Sequence, residues 1–247
     1  AQLVFIYDQS RLSQPPKSMD ALLNYAKNNP GRLTYPEPPN FHGTTFLKQV
    51  LWETTEQQDW LQKPYVEARF EQVTSPMWAY LDSLHPHLWR KGREFPDSAE
   101  VMMDLFADGI LDIALSFNPN DASQRILDGR FAPSVRTYIH EMGTVGNTHF
   151  LAIPFNADAR AGALVWINLL LTPEAQAEKA DPSVWGDPTV IDESRLGSED
   201  QKLFRSLNLG PATLSAADRG VPLSEPHASW VEPIERAWKE RYFGKAR

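Results

Sequence analysis

The sequence predicts an α/β fold with a mostly parallel sheet, and three observations lead there. Short apolar runs rich in β-formers alternate with stretches of helical periodicity over the first 155 residues or so. The opening order is strand, helix, strand, helix, the order that parallel pairing needs because a crossover must carry the chain back to the same edge. The last ninety or so residues read as helix and loop alone, so their apolar faces need a sheet or another domain for cover.

Residues 3–7 (LVFIY) are apolar and β-favouring, and are expected to be a buried strand. SQPPKS follows as a rigid connector. Ser18 caps a helix with Leu22, Leu23 and Ala26 on one face and Asn29-Pro30-Gly31 as its stop. Residues 32–35 are a short strand. Residues 44–55 are a helix, with Phe46, Leu47, Val50 and Leu51 at helical spacing. Residues 67–88 form a long helix whose stripe is Phe70, Val73, Met77, Tyr80, Leu81 and Leu84. Pro76 lies inside it and predicts a kink or a split, because proline lacks the N–H of a helical hydrogen bond. Ser98 caps the next helix, which ends at Asp108-Gly109. Residues 110–117 run as a strand into a polar loop, and Asp121 caps a short helix to Gly129. Residues 135–142 and 148–155 are strands. Helices are expected at 161–171, 174–179, 198–207 and 230–243. There is no internal repeat and no low-complexity tract.

Composition narrows the classes. The chain has 247 residues, 42% of them hydrophobic, enough for a real core. A net charge of −8 and a pI near 5.3 argue against a nucleic-acid protein, which would show a basic face. No apolar run approaches the ~20 residues of a membrane span, so no membrane insertion is expected. The longest run, residues 161–171, is interrupted by Asn168. Without cysteine there are no disulfides and no thiolate chemistry. The chain opens directly in a strand, AQLVFIYD, rather than in a signal peptide.

Three polar bends are candidates for a binding site. In TYPEPPNFHGTTFLKQVLWE, Pro36, Pro38 and Pro39 stiffen a loop, Gly43 permits a close approach, and Thr44 and Thr45 stand where a helix starts. Free N–H groups and the positive end of the dipole favour an anion or a polar oxygen at such a place. Tyr35 and Phe41 supply aromatic walls. A plainer use of Thr44 is as an N-cap, and of Phe41 as a staple onto the helix. The second bend is Ser116-Phe117-Asn118-Pro119-Asn120 at a strand's carboxyl end. The third is Gly143-Thr144-Val145-Gly146-Asn147 between two strands. Each alone reads as a turn. Converging, they make a site, because open α/β sheets bind ligands beyond the carboxyl ends of their strands.

A family resemblance appears at GTVGNTHFLAIPFNADARAGALVWINLLLTPEAQ. This stretch resembles the late crossover of extracytoplasmic solute-binding proteins of ABC transporters, with a strand ending at Pro and Asn-Ala and a helix closing on Leu170-Leu171-Thr172-Pro173-Glu174-Ala175-Gln176. With YPEPPNFHGTTF, DPSVWGDP and EPHASW it is similar to the YnjB-like branch, related to binding proteins for thiamine, iron and polyamines. The resemblance covers essentially the whole chain. It implies a type II periplasmic-binding-protein-like lobe plus the helical remainder of the other lobe. Residues 1–12 would be a hinge-crossing strand and 13–147 the complete second lobe. Residues 148–247 would be the return strand and the C-terminal helical part of the first lobe, whose N-terminal half, with the signal peptide, is expected to be absent from this chain. The implied function is non-catalytic capture of a small solute in an interlobe cleft, in the periplasm, for delivery to an ABC permease, without a cofactor. The implied contacts are Tyr35, Phe41, Gly43, Thr44, Thr45, Asn118 and Asn147, with Tyr7 and Asn156 near the hinge strands and Trp185 on the other wall. Uncovered helices of such a truncated chain could pair two copies as a homodimer.

The enzymatic alternative is a hydrolase or transferase using a carboxylate or histidine on the same loops. His85 and His87 could form a metal pair with His140-Glu141, yet no His-Glu-x-x-His pattern exists. They also suit a helix C-terminus, whose dipole favours histidine. Ser116 lacks a Gly-x-Ser-x-Gly setting, and no phosphate-cradling loop is present. Asp112 and Glu141 read as a strand-end charge and a solvated face, and Trp166, Trp230 and Trp238 as packing residues.

Overall fold

The structure, a computed structural model, describes residues 1–243. Strand β1 (Val4–Asp8) leads to α1 (Met19–Asn28), α2 (Phe41–Thr54), the short α3 (Gln58–Leu61), the long α4 (Glu67–Leu84) and α5 (Ala99–Ala107). Then come β2 (Ile113–Ser116), α6 (Asp121–Leu127), β3 (Val135–Tyr138) and β4 (Val145–Gly146). The remainder is α7 (Arg160–Leu170), α8 (Pro173–Ala180), α9 (Ser198–Arg205), the single turn α10 (Ala216–Arg219), β5 (Leu223–Ser224) and α11 (Val231–Tyr242).

The central sheet has the order β2-β1-β3, and both ladders are antiparallel. The mostly parallel sheet expected from the element order therefore needs correction. β2 and β3 do run the same way, and Leu33 makes a parallel bridge to Ile113, but β1 lies between its neighbours in the opposite sense. Element order could not reveal this, because a strand followed by several helices can return in either direction. Residues 32–35 make that single bridge rather than a strand. β4 continues past β3 along the same edge of β1: Leu3 N donates to Val145 O at 2.8 Å, and Gln2 bridges Gly146. β5 then pairs with β4 in parallel.

Helix boundaries follow local chemistry. Ser18 caps α1 and Ser98 caps α5, each accepting from the backbone N–H three residues on, as expected. Asn40, rather than a threonine, caps α2, its side chain accepting from His42 N at 3.0 Å. Thr44 and Thr45 thus fall inside the helix. Gly43 hid this start, since glycine lowers helix propensity. Pro76 does not split α4. The carbonyl it leaves unpaired belongs to Gln72, on the exposed face. Pro86 instead ends the helix, and residues 85–87 turn as a 3₁₀ segment. Asn120, not Asp121, stands at the N-cap of α6.

The core gathers β1, β2, α2, α4 and α5, and the C-terminal helix joins it. Trp238 is fully buried and its Nε1 donates to the Tyr35 hydroxyl at 2.8 Å. Trp230, also buried, donates from Nε1 to Lys63 O at 2.9 Å. Both are packing residues, as read from the sequence. Trp166 is not: it is 60% exposed, and α7 buries no residue. Residues 148–155, expected as a strand, are irregular and open, with Phe150 and Phe155 bare. Their pattern is strand-like, but no partner strand lies beside them among the described residues.

Gly43 is where α2 meets the proline loop. A Cβ there would be driven into the carbonyl oxygen of Pro36, backbone that cannot step aside. Gly43→Ala is expected to lower the unfolding free energy by about 1–3 kcal/mol in urea titration. Gly162→Ala, in open space on α7, should be neutral or stabilising by up to about 1 kcal/mol.

Candidate functional site

The reversed strand builds a rim. Because β1 runs against its neighbours, its first residues lie beside the carboxyl ends of β2 and β4. Gln2 N donates to Phe117 O at 3.2 Å, and Asn147 N donates to Ala1 O at 3.0 Å. Asn118 and Asn147 therefore flank the start of β1 on one edge. The N-terminus of α2 reaches the same edge, where Phe41 packs edge-on to Phe117 with centroids 5.0 Å apart. The 181–188 loop is tied across it. Asn120 Nδ2 donates to Gly186 O at 2.5 Å, and Asn118 Nδ2 lies 3.5 Å from Trp185 O. Phe41 and Trp185 are each about half exposed, so aromatic surface remains free on both flanks.

The other expected contacts lie elsewhere. Tyr35 is fully enclosed and offers no surface to a solute. Its hydroxyl accepts from Trp238 and so can donate to His85 Nε2, 2.7 Å away. Gly43 is spent on helix packing. Thr44 is buried and donates to Glu235 Oε1 at 2.5 Å, and Thr45 donates back to Phe41 O at 2.7 Å. Tyr7 sits at the far end of β1, against Tyr138, roughly 20 Å of strand from Ala1. Asn156 is exposed on the irregular segment and makes no hydrogen bond among the described residues.

Several polar partners at the rim were not singled out from the sequence. Lys48, one turn beyond Thr44, donates to Glu225 Oε2 at 3.1 Å, and Asn147 Nδ2 donates to Glu225 Oε1 at 3.1 Å. Asp187 is buried between Lys179 Nζ at 2.5 Å and His149 Nδ1 at 3.1 Å. The His149 ring lies parallel to Trp185, centroids 5.9 Å apart. A cavity of about 350 Å³ opens here, lined by Gln2, Asn147, His149, Asp187 and Arg219 among others. Glu225 and Asp187 lie within EPHASW and DPSVWGDP, motifs that carried the family resemblance. His149 lies within the GTVGNTHF stretch that carried it too, whereas Lys48 and Arg219 had no local signal.

The side chains weighed for an enzyme in the sequence, Asp112, Ser116, His140 and His85, each have a partner within the fold. Asp112 is held by Arg32 at 2.8 Å and accepts from the Tyr25 hydroxyl at 2.7 Å. Ser116 donates to Asp121 Oδ2 at 2.7 Å. His140 is buried against Glu53 at 2.5 Å. His85 sits in the core between Tyr35, Phe95 and Tyr242, and burial pushes its pKa down to about 4.

The fold is that of type II periplasmic binding proteins, α/β with helices. The chain belongs to the family of bacterial extracellular solute-binding proteins, whose model matches residues 1–219. It is 44% identical to Protein YnjB of Escherichia coli (strain K12) over 242 residues, 98% of this chain and 61% of that protein. The chain thus spans less than two thirds of that relative. Its fold is similar to the Tp0655 (TpPotD) lipoprotein of Treponema pallidum, with a TM-score of 0.66 and 14% identity over 98% of this chain and 66% of that one. It is also similar to an ABC transporter structure from Clostridium perfringens ATCC 13124, with a TM-score of 0.63 and 16% identity over 100% of this chain and 67% of that one.

Two measurements check this geometry. Asn120→Ala removes the tie to Gly186, and amide hydrogen exchange over residues 182–188 should speed up about five- to tenfold, the equivalent of about 1 kcal/mol. His85 titrates lower when folded than the ordinary 6.5, so its contribution to stability is complete above pH 6.5 and is lost as pH falls towards 4. Between pH 7.5 and 4.5 the wild type should lose roughly 2–3 kcal/mol more than His85→Gln in urea titrations.

Proposed function

We propose that this chain is the solute-gripping part of an extracytoplasmic protein that captures a small molecule and hands it to an ABC importer. The observation that supports this best is the shared rim: Phe41, Asn118, Asn147 and Trp185 come from four separate segments and meet at the start of β1. Amide groups supply hydrogen bonds, the two aromatic faces supply walls, and closure of the two lobes on each other completes the cage. No bond of the solute is made or broken. Membership of the solute-binding family supports the same reading. The protein would work in the periplasm with a permease as its partner.

Residues 1–12 serve in this reading as the first hinge crossing, and 13–147 as the second lobe with α11 docked on it. From residue 148 the chain returns to the first lobe. The apolar surface of Phe150, Phe155, Val165 and Trp166 then packs against the rest of that lobe, supplied by the part of the relatives' length that this chain does not span. Exposed aromatic and β-branched side chains over two consecutive segments are an interaction surface in any soluble protein. In the 247-residue chain the same surface is where two copies would pair.

Native mass spectrometry of a protein of the relatives' full length, purified without denaturation, should show a small molecule held non-covalently and released unchanged. A solute-free protein that takes up nothing from a metabolite pool, or one that releases a chemically altered compound, would overturn the proposal. Light scattering of the 247-residue chain should show association that rises with concentration and is weakened at least tenfold by Val165→Lys with Trp166→Glu.

A further inference from the structure

Arg219 closes α10 and lines the cavity beside His149 and Asp187. It also lines a second cavity of about 390 Å³ on its other side, among Phe204, Leu207 and Leu209. Its backbone carbonyl is fixed by Gln2 Nε2 at 3.2 Å, which links it to the first residues at the rim. Its side chain, in contrast, forms no ion pair or hydrogen bond among the described residues, and Nε is sealed from solvent without an acceptor. Burial lowers the guanidinium pKa, and the Asp187 charge opposes that shift without cancelling it.

The nearest carboxylate, Asp187, is committed to Lys179 at 2.5 Å and to His149 at 3.1 Å, with the Ala1 amine 4.0 Å away. Lys179 further donates to Pro188 O at 2.8 Å. With Lys179 already set against that one carboxylate, Arg219 is left with a planar fork of donors unused. A desolvated guanidinium with no ion-pair or hydrogen-bond partner is costly, and a carboxylate or phosphate can occupy two of its N–H groups at once.

We infer that Arg219 anchors an anionic oxygen group, phosphate or carboxylate, on the solute that this cavity receives. The inference deepens the solute-capture reading and rests on it. Asn147 stands on the same lining and would add an amide, and His149, also on it, stacks on Trp185.

The test is a titration of the 247-residue chain with inorganic phosphate, with acetate and with glucose, at constant ionic strength. The readout is the ring resonances of its six histidines. Phosphate or acetate should move His149 saturably, leave the core residue His85 still, and bind at least about tenfold more weakly to Arg219→Gln. Arg219→Lys, which keeps charge but loses the fork, should fall between. Glucose should do nothing. The two anions distinguish a tetrahedral from a planar partner. An unmoved His149 with both anions, or equal curves for wild type and a folded Arg219→Gln, would overturn the inference. If the full-length protein carries a solute without an anionic group, the anchor fails and capture stands. If it carries none, capture fails whatever phosphate does.

Discussion

One strand running backwards organises this molecule. β1 lies between β2 and β3 with both ladders antiparallel, so the beginning of the chain's first strand meets the ends of its neighbours. Main-chain bonds from Gln2 to Phe117 and from Asn147 to Ala1 then fix two turns on one edge. Backbone hydrogen bonds within a buried sheet tolerate little displacement, since each unpaired group would cost about 1–3 kcal/mol. The backbone of both turns is therefore anchored to the sheet behind it. The side chains it carries can be pre-aligned for a solute rather than ordered by it, which spares the conformational entropy of binding.

Around that edge the packing is uneven, and the unevenness has a pattern. The residues that hold β1, α2, α4, α5 and α11 together are buried to the last few per cent. Past Asn147 the chain runs into an irregular segment and an α7 that buries no residue and half-covers only Ala163, Ile167 and Leu170. The 181–188 loop is fastened back to the rim by Asn120, and β5 is fastened to β4. Segments tied to the rim and segments awaiting cover thus alternate along the last hundred residues.

Much of this was legible in the sequence. Capping serines and apolar stripes follow from local chemistry, and the family motifs extend over most of the chain. Phe41, Asn118 and Asn147 stood out because aromatic and amide residues in short turns are conspicuous, and Trp185 entered through the family resemblance. What was hidden depends on distance in the fold. Tyr35 looks like a wall at the mouth of a helix until Trp238, two hundred residues later, takes its hydroxyl. Thr44 looks like a cap until Asn40 precedes it and Glu235 claims it. The direction of β1 could not be read, because element order leaves the sense of the first strand open. Residues 148–155 have the composition of a strand, but composition cannot supply a partner. Arg219 carries no motif, and only its surroundings give it meaning.

The central claim is that separate turns act together as one surface for a solute. Hydrogen–deuterium exchange of a full-length protein, with and without the solute it carries, measures this most directly. Peptides covering residues 41–48, 117–121, 147–149 and 183–188 should gain protection together and at the same solute concentration. Protection confined to one of them, or falling on the opposite end of the sheet near Tyr7, would contradict the account.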